Sequence, residues 1–210
     1  LLALLVIAGL IGPYLVPHDP YTQDLLARLQ EPIWTADGAW DHVLGTDHLG
    51  RDILARLLYG IRISALIGVS VAMMGGLIGT TLGVMAGYFG GTTDRIISFM
   101  ITARLALPII LVALAVVSIF GTSLLVVTLT LGLLLWERYA LVARTMAAGL
   151  RNAEFVTASR IQGCSHWQIM WHDILPNVAP NLLIIGTVDA ALAITLEASL
   201  SFLGLGVPPP

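Results

Sequence analysis

The chain has 210 residues, 57% of them hydrophobic and only 11% charged, with a mean hydropathy of +0.90. Those proportions exclude an ordinary soluble domain and fit a polytopic membrane protein. A net charge of −3 without a basic tract argues against nucleic acid as a partner, the single Cys164 leaves no intrachain disulfide, and all ten basic residues are arginine, so the lysine of a phosphate-binding P-loop is missing.

Leu1 to Val16 is apolar and is expected to be a first transmembrane helix trimmed at its N-terminus, because crossing a bilayer takes about 20 residues. Pro13 and Pro17 end it. Residues 17–60 then read as a polar loop carrying an interfacial helix. His18 to Arg62 holds seven of the thirteen acidic residues. Ile53, Leu54, Leu57, Leu58 and Ile61 share one helical face, which is expected to lie at the membrane interface. Asp47–Arg51 and Asp52–Arg56 are spaced as i,i+4 ion pairs. The grouping of His18, Asp19, His42, Asp47 and His48 raises a metal site, but the spacing matches no established ligand pattern. The segment reads instead as a solvated acidic loop, and no metal site is expected.

Ile63 to Thr93 runs 31 residues without a charge, enough for one span with flanking turns. Gly75, Gly79, Gly83 and Gly87 recur every fourth residue, a stripe that lets two helix backbones approach closely in lipid; plain glycine abundance is the alternative. Asp94, Arg95 and Arg104 mark a short connection. The 32 uncharged residues from Leu105 to Trp136 are too many for one span, and Gly121-Thr122-Ser123 divides them into spans at roughly 99–120 and 124–146. Pro108 is expected to kink the first of these or set its entry.

Glu137-Arg138 falls inside the second. A charge near the bilayer centre costs about 2.5–3.5 kcal/mol on insertion scales. The pair therefore either lies at the interface and snorkels or lines a pathway. Asn177 to Phe202 makes the last visible span and carries Asp189 and Glu197. Eight residues separate these two, about 12 Å along a helix and roughly 80° around it, too far for an acid/base pair. Asp189 is the candidate for a translocation path, with Glu137 and Arg138; Glu197 lies near an outer end.

Asn152 to Asn177 is the longest polar interruption of the second half. Phe155, Ala158 and Ile161 recur at helical spacing, and Gly163-Cys164-Ser165 breaks the run. Ser165 and Gln168 fit a capping box at the start of a second helix. That helix is expected to present Trp167, Met170, Trp171 and Ile174 on one face and to end at Leu175-Pro176. Two short amphipathic helices hinged at a glycine form a docking surface, not a catalytic pocket.

Glu154-Phe155-Val156, Ala158, Arg160, Gly163 and Ile174-Leu175-Pro176-Asn177 resemble the cytoplasmic coupling loop of ABC importer permeases, most closely the dipeptide/oligopeptide/nickel branch. LGTDHLGRD (Leu44 to Asp52), YGIRIS (Tyr59 to Ser64), GYFGG (Gly87 to Gly91) and LSFLGLGVPPP (Leu200 to Pro210) resemble the same branch in the same order. Departures are Thr157 and Ser159 in the loop's Glu-Ala-Ala core, Glu137-Arg138 where small residues or proline are usual, and Leu141 in place of an arginine.

The resemblance implies an all-α, polytopic transmembrane helical bundle of the type I ABC importer permease kind, with five spans within these residues and a sixth expected beyond Pro210. Residues 61–210 would be the permease domain lacking its last helix, 17–60 a periplasmic loop, and 150–176 the cytoplasmic coupling loop. The excess of arginines flanking that loop leans the same way. Glu154, Phe155, Ala158, Ser159, Arg160, Gly163, Leu175 and Pro176 would carry the coupling contact. The implied role is transport of di- or oligopeptides by alternating access in the bacterial inner membrane, with nickel or glutathione as alternative cargo. The chain itself would hold no cofactor, ATP and Mg belonging to partner subunits. The partners implied are a second homologous permease subunit, two ATP-binding subunits, a periplasmic solute-binding protein and the lipid bilayer. Two remoter classes are weighed against this. A membrane enzyme would need a motif such as His-Glu-x-x-His or Gly-x-Ser-x-Gly, and neither occurs. A passive channel would need no docking loop.

Overall fold

The computed structural model describes residues 16–35 and 40–206, with Ile7, Gly9, Ile11, Gly12, Tyr14 and Gly38. The expected first span therefore lies mostly outside the described residues, as do Asp37 and the end of the LSFLGLGVPPP motif. Within them the fold is all-α, a polytopic helical bundle, with one isolated bridge between Thr46 and Asp52 as the sole extended pairing. Contacts divide the chain into a unit ending at Leu66 and a unit starting at Ile67.

In the first unit, short polar contacts hold an irregular loop. The Thr46 hydroxyl accepts from Gln30 N–H (2.9 Å) and donates to the Ala27 carbonyl. Asp47 accepts from the N–H groups of Leu49 (2.8 Å) and Arg51 (3.0 Å) and from Arg51 Nε (2.9 Å). Burial pushes the Asp47 carboxyl up, but those N–H donors and the Arg51 guanidinium outweigh it and hold it well below the usual carboxylate range. The loop is thus less solvated than its composition implies, with Asp52 only 4% exposed.

Helix α1, Ile53–Phe89, is 37 residues long. The expected interfacial helix is not a separate element but its first turns. Asp52 caps it, its Oδ1 accepting from Ala55 N–H at 2.7 Å. The expected Asp52–Arg56 pair does not form, because a capping carboxylate folds back on the first turn and cannot reach forward to i+4. Arg56 pairs with Asp47 instead.

Helix α2, Gly91–Leu105, and helix α3, Ile109–Phe120, meet at 82°, so the span expected at 99–120 with a kink at Pro108 is a pair broken there. Pro108 sits at the break as the extended N-cap of α3, and a residue preceding proline is pushed out of the helical region. Arg104 binds an open carbonyl there, its Nη1 donating to Leu107 O (3.2 Å), while its Nη2 donates to Leu134 O (2.6 Å) at the end of a later helix. Helices α4, Leu124–Leu134, and α5, Glu137–Leu150, follow with a slight break between them and together form a 27-residue span. Helix α6, Glu154–Ile161, is short. Helix α7, His166–Phe202, is again 37 residues long.

Three of these are long and apolar enough to cross a membrane, namely α1, α4–α5 and α7; the bent α2–α3 pair is a fourth if it counts as one broken span. The expected stop at Leu175-Pro176 does not occur. Residues Ile169–Ile174 form a π turn, in which Leu175 N–H bonds to Met170 O, and an α-helix resumes from Leu175 with Pro176 in its first turn. Proline is tolerated there, where its missing N–H has no obligatory partner.

In the second unit α1 lies against α5 along its glycines. A Cβ built on Gly79 would fall 2.1 Å from Trp136 O, on Gly83 2.4 Å from Ala140 O, and on Gly87 2.3 Å from Arg144 O. Gly75 has Leu135 O at 3.1 Å. Backbone carbonyls cannot retreat as a side chain can, so Gly79→Val is expected to destabilise by about 1–3 kcal/mol or more through overpacking. The check is the thermal midpoint in detergent, with Gly149→Val as control, since nothing lies within 4 Å of a Cβ there.

Candidate coupling and pathway sites

Helix α6 has one inward residue. Val156 is fully buried in a cluster with Tyr88, Ala147, Met170 and Ile174, whereas Phe155 (43%) and Ile161 (82%) are exposed. Glu154, Ala158, Arg160 and Gly163 are exposed too, Ser159 and Leu175 are half-buried, and Pro176 is exposed. Gly163 has φ +81°, a backbone conformation that L side chains rarely adopt. Its N–H bonds to Arg160 O (3.0 Å) and that of Cys164 to Ser159 O (3.1 Å), a Schellman closure of α6. Ser165 then opens α7 with both bonds of a capping box.

The expected face of Trp167, Met170, Trp171 and Ile174 is split. Met170 and Ile174 are buried, but Trp167 (57%) and Trp171 (48%) are exposed, their rings 5.9 Å apart edge to face. The π turn accounts for the split: with more residues per turn, i and i+4 stay on one face while i and i+3 diverge, so Trp167 parts from Met170 and Trp171 from Ile174. The result is an exposed apolar foot: Phe155, Ala158 and Ile161 on α6, with Trp167 and Trp171 beyond the hinge.

Sequence reasoning missed what anchors this foot. Tyr88, near the end of α1, has its hydroxyl 2.8 Å from His166 Nδ1, and the Arg160 guanidinium lies 5.2 Å above its ring. The signal available was the aromatic pair inside GYFGG at the close of a glycine-rich span. Asp94 of α2 and Arg144 of α5 also pair, Nη2 to Oδ2 at 2.9 Å.

A second cluster lies between α5 and α7. Asp189 is fully buried, and Arg138 Nη1 donates to its Oδ1 at 3.3 Å. Glu137, 6% exposed, does not snorkel: it is buried next in the chain to Arg138. Glu137 Oε2, Tyr139 OH and Asp189 Oδ2 have no hydrogen-bond partner among the described residues. The arginine half of the pair is 50% exposed. Glu197, farther along α7, accepts from Ser201 Oγ at 2.8 Å.

Residues 79–210 match the family described as binding-protein-dependent transport system inner membrane component. The chain belongs to this family. The permease is 37% identical over 212 residues to the dipeptide transport system permease protein DppC of Haemophilus influenzae, covering all of this chain and 72% of that one. It is 35% identical over 207 residues to the di/tripeptide transport system permease protein DppC of Pseudomonas aeruginosa, covering 99% of this chain and 68% of the relative. As a family member the permease is a multi-pass inner-membrane transport component, not an enzyme, and it works in a system that includes a solute-binding protein.

Proposed function

We propose that this permease passes short peptides across the inner membrane by alternating access, driven by separate ATP-binding subunits that grip the foot at Glu154–Gly163. Peptide cargo is supported by the names of the two relatives, which specify dipeptide and di/tripeptide transport. ATP and its Mg²⁺ would be held by those partners, two in number beside a second permease subunit, and this chain would contribute no cofactor site to the motor.

One observation carries the coupling role: apolar side chains project from a helix whose remaining face is locked into the core through Val156, Arg160 and Tyr88. A contact that transmits force needs both an apolar surface for the partner and a stiff attachment to the spans. Movement at α6 would pass to α1 through Tyr88 and to α5 and α7 through the buried cluster around Val156. The Arg138–Asp189 pair with Glu137 is the proposed polar element of the pathway, on the principle that intramembrane charges face a bundle interior or a water-filled route.

Cys164 is the sole cysteine and is exposed at the hinge of the foot. A thiol-anchored photo-crosslinker placed there in the assembled transporter is expected to capture the nucleotide-hydrolysing subunit. The same membranes should take up labelled dipeptide only with ATP. Labelling of Cys164 solely from the extracytoplasmic face, or capture of no ATPase, would refute the coupling role.

A further inference from the structure

We propose that His18, His42 and Asp52 form a binding site for a zinc-class divalent cation on the loop that precedes α1. The three side chains come from positions far apart in sequence, yet one ligand atom from each lies within 4.8 Å of the others. His42 Nδ1 is 2.8 Å from Asp52 Oδ2, and His18 Nδ1 is 4.0 Å from the same oxygen. The two imidazole rings are 4.6 Å apart, tilted by 39°. A hydrogen-bonded cap needs only one histidine. Here a second ring turns the same nitrogen toward the same oxygen from beyond hydrogen-bond range.

The spacing suits a metal ion. Zinc bonds to nitrogen and oxygen are about 2.0–2.2 Å, which places ligands of a tetrahedral centre roughly 3.3–3.5 Å apart. The observed 2.8 and 4.0 Å to Asp52 bracket that value and the histidine ligand atoms lie within 4.8 Å of each other, so rotation of the two imidazoles is what closes the set around an ion. Asp52 is already oriented, because its Oδ1 is occupied by Ala55 N–H and only Oδ2 faces the histidines. Its negative charge also offsets the positive end of the α1 dipole, which would otherwise oppose a cation. Two imidazoles and one carboxylate select zinc, nickel or copper over calcium and magnesium, which prefer oxygen ligands. Three protein ligands leave a fourth position for water or a partner's group. His18 is 36% exposed in its side chain, giving the ion an entry route. The cation displaces the His42 Nδ1 proton, so binding releases a proton.

The test uses the assembled transporter, stripped with chelator and titrated with Zn²⁺ against a chromogenic competitor. Wild type is expected to bind one more zinc per chain than His18→Ala, which should bind at least tenfold more weakly at this site. Zinc should raise the thermal midpoint of wild type and not of His18→Ala, while His48→Ala, altering an exposed histidine of the same loop, should match wild type. Millimolar Ca²⁺ should not compete. His18 has no hydrogen bond among the described residues, so its removal leaves the cap intact; His18→Gln serves as a second variant if alanine perturbs folding. Equal zinc affinity and stoichiometry in wild type and the His18 variants would overturn the assignment, as would a zinc-edge absorption spectrum lacking two imidazole nitrogens.

Discussion

Uptake by a transporter carrying Ala158→Glu is expected to collapse while the complex still inserts and assembles its spans. Ala158 is exposed on α6, so a longer side chain can extend into solvent and folding is expected to survive. The cost falls on the partner: a carboxylate thrust into an apolar contact is desolvated without a counter-charge. Central interface residues carry about 2 kcal/mol or more, roughly a thirty-fold change in docking. Gly163→Pro should reach the same end by another route. Proline fixes φ near −65° where the chain requires +81°, and it removes the N–H that closes α6 on Arg160 O. The foot would lose its hinge, not its surface. Dipeptide uptake and ATPase activity should be measured together: uptake lost with hydrolysis retained indicates uncoupling. Uptake persisting near wild-type rate in either variant would show that force enters elsewhere.

Arg138→Met is expected to produce the second large effect, a loss of about 3 kcal/mol in stability accompanied by a transport defect. Removing one partner of a buried ion pair leaves the other charge uncompensated, at about 3–5 kcal/mol; the lower figure applies because Arg138 is half exposed. Asp189→Leu in the same chain removes the stranded carboxylate and should restore most of the thermal midpoint. A structural pair would then recover uptake as well. A pathway role predicts that the double variant is stable but inactive, and that outcome separates the two functions. A single Arg138→Met variant with an unchanged midpoint would show that the pair contributes nothing.

Much of the coupling loop was readable from consecutive residues. The glycine at Gly163 and the Ser165–Gln168 capping box are local devices, and each operates within a few residues of chain. Register inside the loop was not readable. The apolar residues Phe155, Ala158 and Ile161 were legible as a set, but the residue buried from α6 is Val156, because the core cluster of Tyr88, Met170 and Ile174 meets that side. The two tryptophans were grouped with Met170 and Ile174 on helical spacing, which fails across a π turn. Composition likewise overstated the solvation of the loop before α1, where Asp47 and Asp52 spend their oxygens on backbone N–H groups and basic partners.

What the amino-acid order decided alone was the solvent this chain folds in and the periodicity of its helices, since hydropathy and glycine spacing act along the chain without reference to distant parts. Tertiary structure decided which side chains meet: Arg138 with Asp189 fifty-one positions away, Arg144 with Asp94 fifty positions away, Tyr88 with His166 seventy-eight away, and His18 with His42 and Asp52. The first three meetings depend on how helices turn about their axes when their glycines and alanines come together; the last depends on how the loop before α1 folds back on the helix cap. A rotation of one residue, 100° around a helix, exchanges a buried partner for an exposed one.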